Sequence, residues 1–564
     1  MYYNVPMYRV LQQSISMNPV RALIRFSLLW MGLALFLAIT PAYANGMQAP
    51  LPDSPLVRMI TQAPSPFGAY EIDKEALFQL YQLRKFAPAW DTQSENSRKA
   101  NADFLESLKN FVAYHGLDET QLPFSQMASL IEEPDAPDAA EKLEILMTDS
   151  LIKRARRING EDVSLAYIYT GWEFERPSRN IVSELAASIN DNLLNEYFAA
   201  QAPQDVDYKL LATALKSYRE LEGKGAWPVI AAGEIIRAGD SDPRLPVIQA
   251  RLEAEGYTFP PRRTGESPQL LTAAFQDVII TYQARNMLEA DGNIGAKTLT
   301  AMNKSLDSRI GQITANMERK RHMPRVFPAR YAIVNIAGTS VKVIDNGQVV
   351  YHEPVIVGRV DRKTPFIQSE IRSVIFNPSW HVPAKIARED ILPKLRKDPH
   401  YLEKMGFVIN GSADDPHGSM IDWNEIDKSE FNFRLRQSPG DLNSLGRIKF
   451  DFDNRFAVYM HGTPHEELFA KVDRHLSSGC IRLKDPEAFA AIVLADNEGE
   501  WTEERAQGEI DKRKTHWLKV ATPLPLYIVY ESAFFPTPDS PIHFAPDRYN
   551  YDRLLLDALK NEES

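Results

Sequence analysis

The sequence predicts a multidomain α+β protein, and three observations carry that reading. At 564 residues the chain is longer than one hydrophobic core organises, so three or four domains are expected. Apolar residues recur at helical spacing between about 70 and 235, then give way to strand-like runs from 331 onward. Between the two lies a short unit, 241–305, punctuated by turn glycines.

The elements follow in chain order. Residues 1–44 read as a signal peptide. Arg9, Arg21 and Arg25 precede the apolar run Phe26–Ile39, and Pro41-Ala-Tyr-Ala44 supplies small residues for cleavage after Ala44. That run falls short of the roughly 20 apolar residues a membrane span needs. The alternative is an uncleaved anchor, and either way the bulk of the chain is exported. Residues 45–68, rich in Pro, Ser and Gln, read as a linker. Residues 69–238 read as a helical scaffold, beginning with Lys74–Lys85 and a breaker at Pro88-Ala-Trp90. No catalytic cluster stands out there.

In the unit 241–305, Arg244–Gly256 reads as a helix closed by a C-terminal glycine. A second helix carries Leu271, Ala274, Phe275 and Gln276. Asp291-Gly292 turns the chain toward a third, and Ile294-Gly295 leads into it. A basic linker helix over 306–327 precedes a β-rich domain spanning 328–534. Its first strands are 331–336, 339–344 and 348–357, with an Asn346-Gly347 hairpin turn. Residues 384–440 are more polar and helical and read as an inserted cap. Residues 535–564 form a tail ending in a helix.

Charge narrows the function. The formal net charge is −11, and loss of the +3 leader takes it to −14. Nucleic-acid binding relies on basic surfaces, so no nucleic-acid partner is expected. Stable membrane insertion is not expected once the signal is cleaved. Protein partners cannot be read from the chain.

The chemistry centres on Cys480, the chain's single cysteine. Exported proteins use cysteines mostly in pairs, so a lone thiol is buried and inert, intermolecular, or reactive. Gly479 before it allows close backbone approach, and Ile481 and Leu483 after it read as a strand. Upstream, Phe456–Met460 reads as a strand that delivers His461 at its end, with 18 residues between His461 and Cys480. A free thiol has a pKa of about 8.5, and an imidazole is the natural base to activate it. A zinc site built from His461, His465, His475 and Cys480 is disfavoured, because Gly462 and Pro464 break the helix that a His-x3-His pair needs. Tyr459 shares a strand face with His461 and either lines a pocket or packs. Trp380 is a pocket wall or a core residue. Arg482 either grips a substrate carboxylate or pairs with a nearby acid.

Taken together, His461-Gly-Thr-Pro, Leu468-Phe469, Arg474 and Ser477-Ser-Gly-Cys-Ile-Arg482 resemble the signature of the L,D-transpeptidases, the YkuD-type family. Most members carry His where this chain has Ser478, a departure shared by the large multidomain Gram-negative branch typified by YcbB. Gly358, Thr364-Pro365, Asn377–Pro383, Arg436–Gly440 and the tail 544–552 resemble further landmarks of that branch. Residues 241–305 resemble a three-helix peptidoglycan-binding domain. The resemblance implies a periplasmic murein L,D-transpeptidase that acts on peptidoglycan stem peptides and glycan without metal or organic cofactor. Cys480 would be the nucleophile and His461 the base. Backbone N–H groups around Gly479 and Cys480, beside Ser478, would form the oxyanion hole. Tyr459, Trp380, Arg482, Gly462 and Ser477 would line the substrate site. A carbonyl near Ser477 or Ser478 is expected to orient His461. Sequence alone leaves open a hydrolase or a non-catalytic wall-binding protein.

Overall fold

The computed structural model describes residues 54–62, 65–161, 163–174 and 179–561. The leader and its cleavage site lie outside the described residues. Within the segment expected as a linker, Pro55–Thr61 is a helix, with the Ser54 hydroxyl accepting the Val57 N–H at 3.2 Å. Serine at the cap and proline in the first turn favour that start over an extended linker.

The scaffold region is helical. Its long helix Ala139–Ile158 is buried along most of its length. The region also contributes a short strand, β1 (Trp172–Glu173). Tyr169, just ahead of it, stacks on Phe366 at 5.1 Å and donates its hydroxyl to the Tyr551 carbonyl at 3.0 Å. The next unit holds three helices, Leu245–Ala254, Ala273–Arg285 and Ala296–Met302, around its own apolar core. Gly292 adopts φ +72°, and the Gln283 side chain accepts its N–H at 2.8 Å, fixing the turn between the last two helices.

The β-rich region holds β2 (Arg330–Asn335), β3 (Ser340–Asp345), β4 (Gln348–Gly358) and β5 (Phe366–Phe376). After these come β6 (Trp380–His381), β7 (Phe407–Ile409), β8 (Leu435–Gln437), β9 (Ile448–Phe452) and β10 (Met460–His461). Then follow β11 (His475–Ser477), β12 (Ile481–Leu483), β13 (His516–Val529), β14 (Ala533–Phe534) and β15 (His543–Phe544). Among the described residues the main sheet runs β1-β5-β13-β2-β3-β4-β12-β10-β9, with β11 beside β4. Because β9 also pairs with β5, the path from β5 to β9 closes on itself. Closure removes open sheet edges. Alternating Val, Ile and Phe residues of these strands fill the interior.

Three further local expectations change. The cap is mixed rather than helical. Short helices (Ala384–Ile386, Leu392–Lys397, Tyr401–Lys404) sit with a three-stranded sheet β6-β8-β7 around a separate small core that includes Trp380, Trp423 and Phe431. Residues 453–459 are a loop, and strand begins only at Met460. The Asn454 side chain accepts the N–H groups of Phe456 and Val458, supplying partners that a neighbouring strand would otherwise give. Finally, the basic helix Leu306–Arg321 does more than link domains. Its last turns, from Ala315 to Arg321, are buried between the scaffold helix Val206–Arg219, the C-terminal helix Tyr551–Asn561 and the sheet. Charge survives there because each group is paired: Arg319 with Asp552 at 2.6 Å, Lys320 with Glu531 at 2.8 Å, and Arg321 with Glu318.

Candidate active site

The site is built by two short parallel strands. β10 and β12 pair with Met460 opposite Ile481 and His461 opposite Arg482, and Ile481 N–H donates to Tyr459 O at 3.1 Å. That register sets Cys480 level with Tyr459. Successive side chains alternate faces, so Tyr459, His461, Cys480 and Arg482 share one face. β9 adds Lys449, paired directly with His461. Its ammonium lies 4.4 Å over the Tyr459 ring. The rings of Tyr459 and His461 are 5.6 Å apart, and the Trp380 indole donates to the Tyr459 hydroxyl at 3.1 Å. Trp380 is 9 % exposed and belongs to the cap core, so it joins the cap to this face.

His461 is buried, and its Nδ1 meets Gly462 O at 2.6 Å. A carbonyl only accepts, so Nδ1 carries the proton and Nε2 is the unprotonated nitrogen of the neutral ring; the Leu445 backbone also bonds the ring. The orienting carbonyl is thus Gly462, next in sequence, and not one near Ser477 or Ser478. Gly446, at φ +63°, packs its backbone so closely on Gly462 that a Cβ there would stand 2.6 Å from the Gly462 carbonyl carbon. Burial, and secondly the Arg482 charge, lower the His461 pKa to about 3. Burial pushes the Cys480 thiol up from its ordinary value, although Tyr459, Arg482 and Lys449 all favour the thiolate. Cys480 itself is partly exposed.

The loop around Cys480 is tightly tied. Gly479 has φ +117°, a conformation that favours glycine. The Ser477 hydroxyl donates to Cys480 O at 2.6 Å and accepts Gly479 N–H at 3.1 Å. Thr364, fully buried, donates to Gly479 O at 2.8 Å. The Ser478 hydroxyl accepts from Arg362 at 2.9 Å, and Arg362 in turn grips the cap residues Asp390, at 2.6 Å, and Glu389. Gly462 is buried against Pro486. Arg482 is half-buried, makes no ion pair among the described residues, and its Nε lacks a partner. Of the remaining histidines, His465 is 60 % exposed beside Glu467, and His475 leans on Asp473 at 3.0 Å.

Sequence reasoning named Thr364 only as part of a loop motif, and assigned no role to Lys449, Arg362 or Tyr549. These residues reach the site from distant strands and from the tail, and no local spacing announces them.

Residues 329–512 match the L,D-transpeptidase catalytic domain of the YkuD family, residues 241–302 a peptidoglycan-binding domain, and residues 75–215 a scaffold domain. A Haemophilus influenzae protein named as an L,D-transpeptidase is 34 % identical over 255 residues, covering 44 % of this chain and 50 % of that protein. The match therefore spans half the length of that relative. Among solved structures, an L,D-transpeptidase from Mycobacterium smegmatis is 12 % identical over 35 % of this chain and 58 % of its own, with a TM-score of 0.17. One from Xylanimonas cellulosilytica is also 12 % identical, over 53 % of this chain and 99 % of its own, with a TM-score of 0.18. Whole-structure similarity is slight, and the assignment rests on the sequence matches. The chain carries an L,D-transpeptidase catalytic domain of the YkuD family, preceded by a scaffold domain and a peptidoglycan-binding domain.

Proposed function

We propose that the protein is a periplasmic murein L,D-transpeptidase that forms 3→3 cross-links through a thioester on Cys480. The register that puts the chain's lone thiol on the same face as His461, whose Nδ1 is held by Gly462 O, supports this reading. The resting pair is a neutral thiol and a neutral imidazole. As Sγ attacks the carbonyl of the L-centre of meso-diaminopimelate in a tetrapeptide stem, His461 Nε2 takes the thiol proton. Charge on the tetrahedral oxygen is met by the Cys480 N–H, since the Gly479 N–H is held by Ser477. The Tyr459 hydroxyl accepts from Trp380, which leaves its own proton for the sulfur side of the site. The C–N bond to D-Ala then breaks, and the proton on His461 passes to the departing amine. An amine of a second stem attacks the thioester, gives its proton to His461 and expels the thiolate, which recovers a proton from the imidazolium. Arg482, without an ion pair among the described residues, would hold a stem carboxylate. A cap over the cleft disfavours water as the acceptor.

Incubation with disaccharide-tetrapeptides tests this. Mass spectrometry should find a 3→3 linked dimer and one D-Ala released per cross-link. Tripeptide as the sole product would instead make the protein a carboxypeptidase.

A further inference from the structure

We infer that Thr364 is a positioning residue for acyl transfer: from inside the domain it aims the oxyanion-binding N–H of Cys480. The inference rests on the acyl-transfer reading of Cys480. Gly479 C=O and Cys480 N–H belong to one peptide unit. In a trans peptide these two groups point in opposite directions. Whatever holds the carbonyl therefore sets where the N–H points. Thr364 Oγ1 holds it, at 2.8 Å.

The hydroxyl has little freedom to do otherwise. It accepts Gly358 N–H at 2.8 Å, so its proton is directed to Gly479 O. Thr364 N–H donates to the Tyr549 hydroxyl at 3.1 Å, and that phenol donates to Gly358 O. Thr364 is fully buried, so water does not compete. The loop's closeness has its own requirement: a Cβ on Gly358 would lie 2.3 Å from Arg362 O and 2.6 Å from Thr364 N, both backbone atoms that cannot swing aside.

The remaining groups at the nucleophile agree. Gly479 N–H goes to Ser477, and Cys480 C=O accepts from the same hydroxyl. Among the described residues no acceptor takes the Cys480 N–H. Three of the four polar backbone groups are tied internally, and the fourth is left for a substrate oxygen. Fixed N–H donors of this kind contribute most when they need no reorganisation during reaction.

The test compares Thr364→Val and Thr364→Ser with wild type, using two electrophiles on Cys480. Acylation by p-nitrophenyl acetate builds an oxyanion, whereas alkylation by iodoacetamide does not. Thr364→Val should slow acylation by roughly tenfold or more, with alkylation within about twofold of wild type, and Thr364→Ser should restore acylation. kcat on tetrapeptide stems should fall with it while KM holds. Equal loss in both reactions, or no loss in acylation, would overturn the inference. Should Thr364→Val not fold, Tyr549→Phe loosens the same loop and should depress acylation selectively; an unchanged acylation-to-alkylation ratio there is equally contrary. The electrophile ratio reads Thr364 even if wild type fails to cross-link stems, and that failure would count against the proposed function alone.

Discussion

At the residue scale, the pair at the centre of the site is held uncharged. Burial lowers His461 to about 3 and raises the Cys480 thiol, so no imidazolium–thiolate pair stands ready in the free protein. In the proposed mechanism the proton moves only as the substrate carbonyl is attacked. Iodoacetamide labelling of Cys480 should therefore be slow at pH 6 and climb past the ordinary thiol value of about 8.5. A reactivity plateau below pH 7 would show a preformed ion pair instead. The same depressed His461 pKa links to stability. The unfolded histidine takes up its proton near pH 6.5, the folded one only near 3. Its contribution is complete above about pH 6.5 and is lost as pH falls toward 3. The sequence singled out Cys480 and His461 because a lone thiol is conspicuous in a chain that begins like an exported one. It gave no sign of Gly462 as the orienting carbonyl, since that depends on a ring rotamer. Nor did it mark Thr364 or Tyr549, which act from 116 and 69 residues away.

At the scale of elements, Arg362 is the joint between the cap and the loop that carries Cys480. Its guanidinium, 7 % exposed, binds Ser478 on one side and the cap acids Glu389 and Asp390 on the other. Paired bidentate contacts of this geometry are stronger than ordinary surface ion pairs. Neutralising the cap side with Glu389→Gln and Asp390→Asn should loosen the cap over the thioester. Water would then compete better with the acceptor amine, and the ratio of tripeptide to cross-linked product should rise by a few-fold. A product ratio equal to wild type would remove the cap from acceptor choice. The insertion was visible in the sequence as a polar interruption of strand runs. Its β6-β8-β7 sheet was not, because strands of two or three residues are too short for periodicity to register.

For the molecule as a whole, the helix Leu306–Arg321 ties the scaffold to the catalytic sheet. Lys320 meets Glu531 at 2.8 Å and Asp205 at 3.3 Å, and Asp207 lies 3.9 Å away. The surrounding carboxylates more than offset its burial and hold its pKa well above the ordinary lysine value. Lys320→Ala leaves those acids facing one another without their cation. It should lower stability by roughly 3–5 kcal/mol in urea unfolding, as expected when one member of a buried ionic cluster is removed. A loss below about 1 kcal/mol would mean that solvent reaches the cluster. From sequence this helix reads as a basic linker helix, because composition reports charge but not the acids that fold against it.

The most direct measurement is intact-mass and peptide-mapping analysis of protein quenched in acid during turnover of a disaccharide-tetrapeptide. The account predicts a transient adduct of disaccharide-tripeptide mass on the peptide containing Cys480, absent from Cys480→Ala. Cross-linking by a folded Cys480→Ala protein, or an adduct on any other residue, would contradict it.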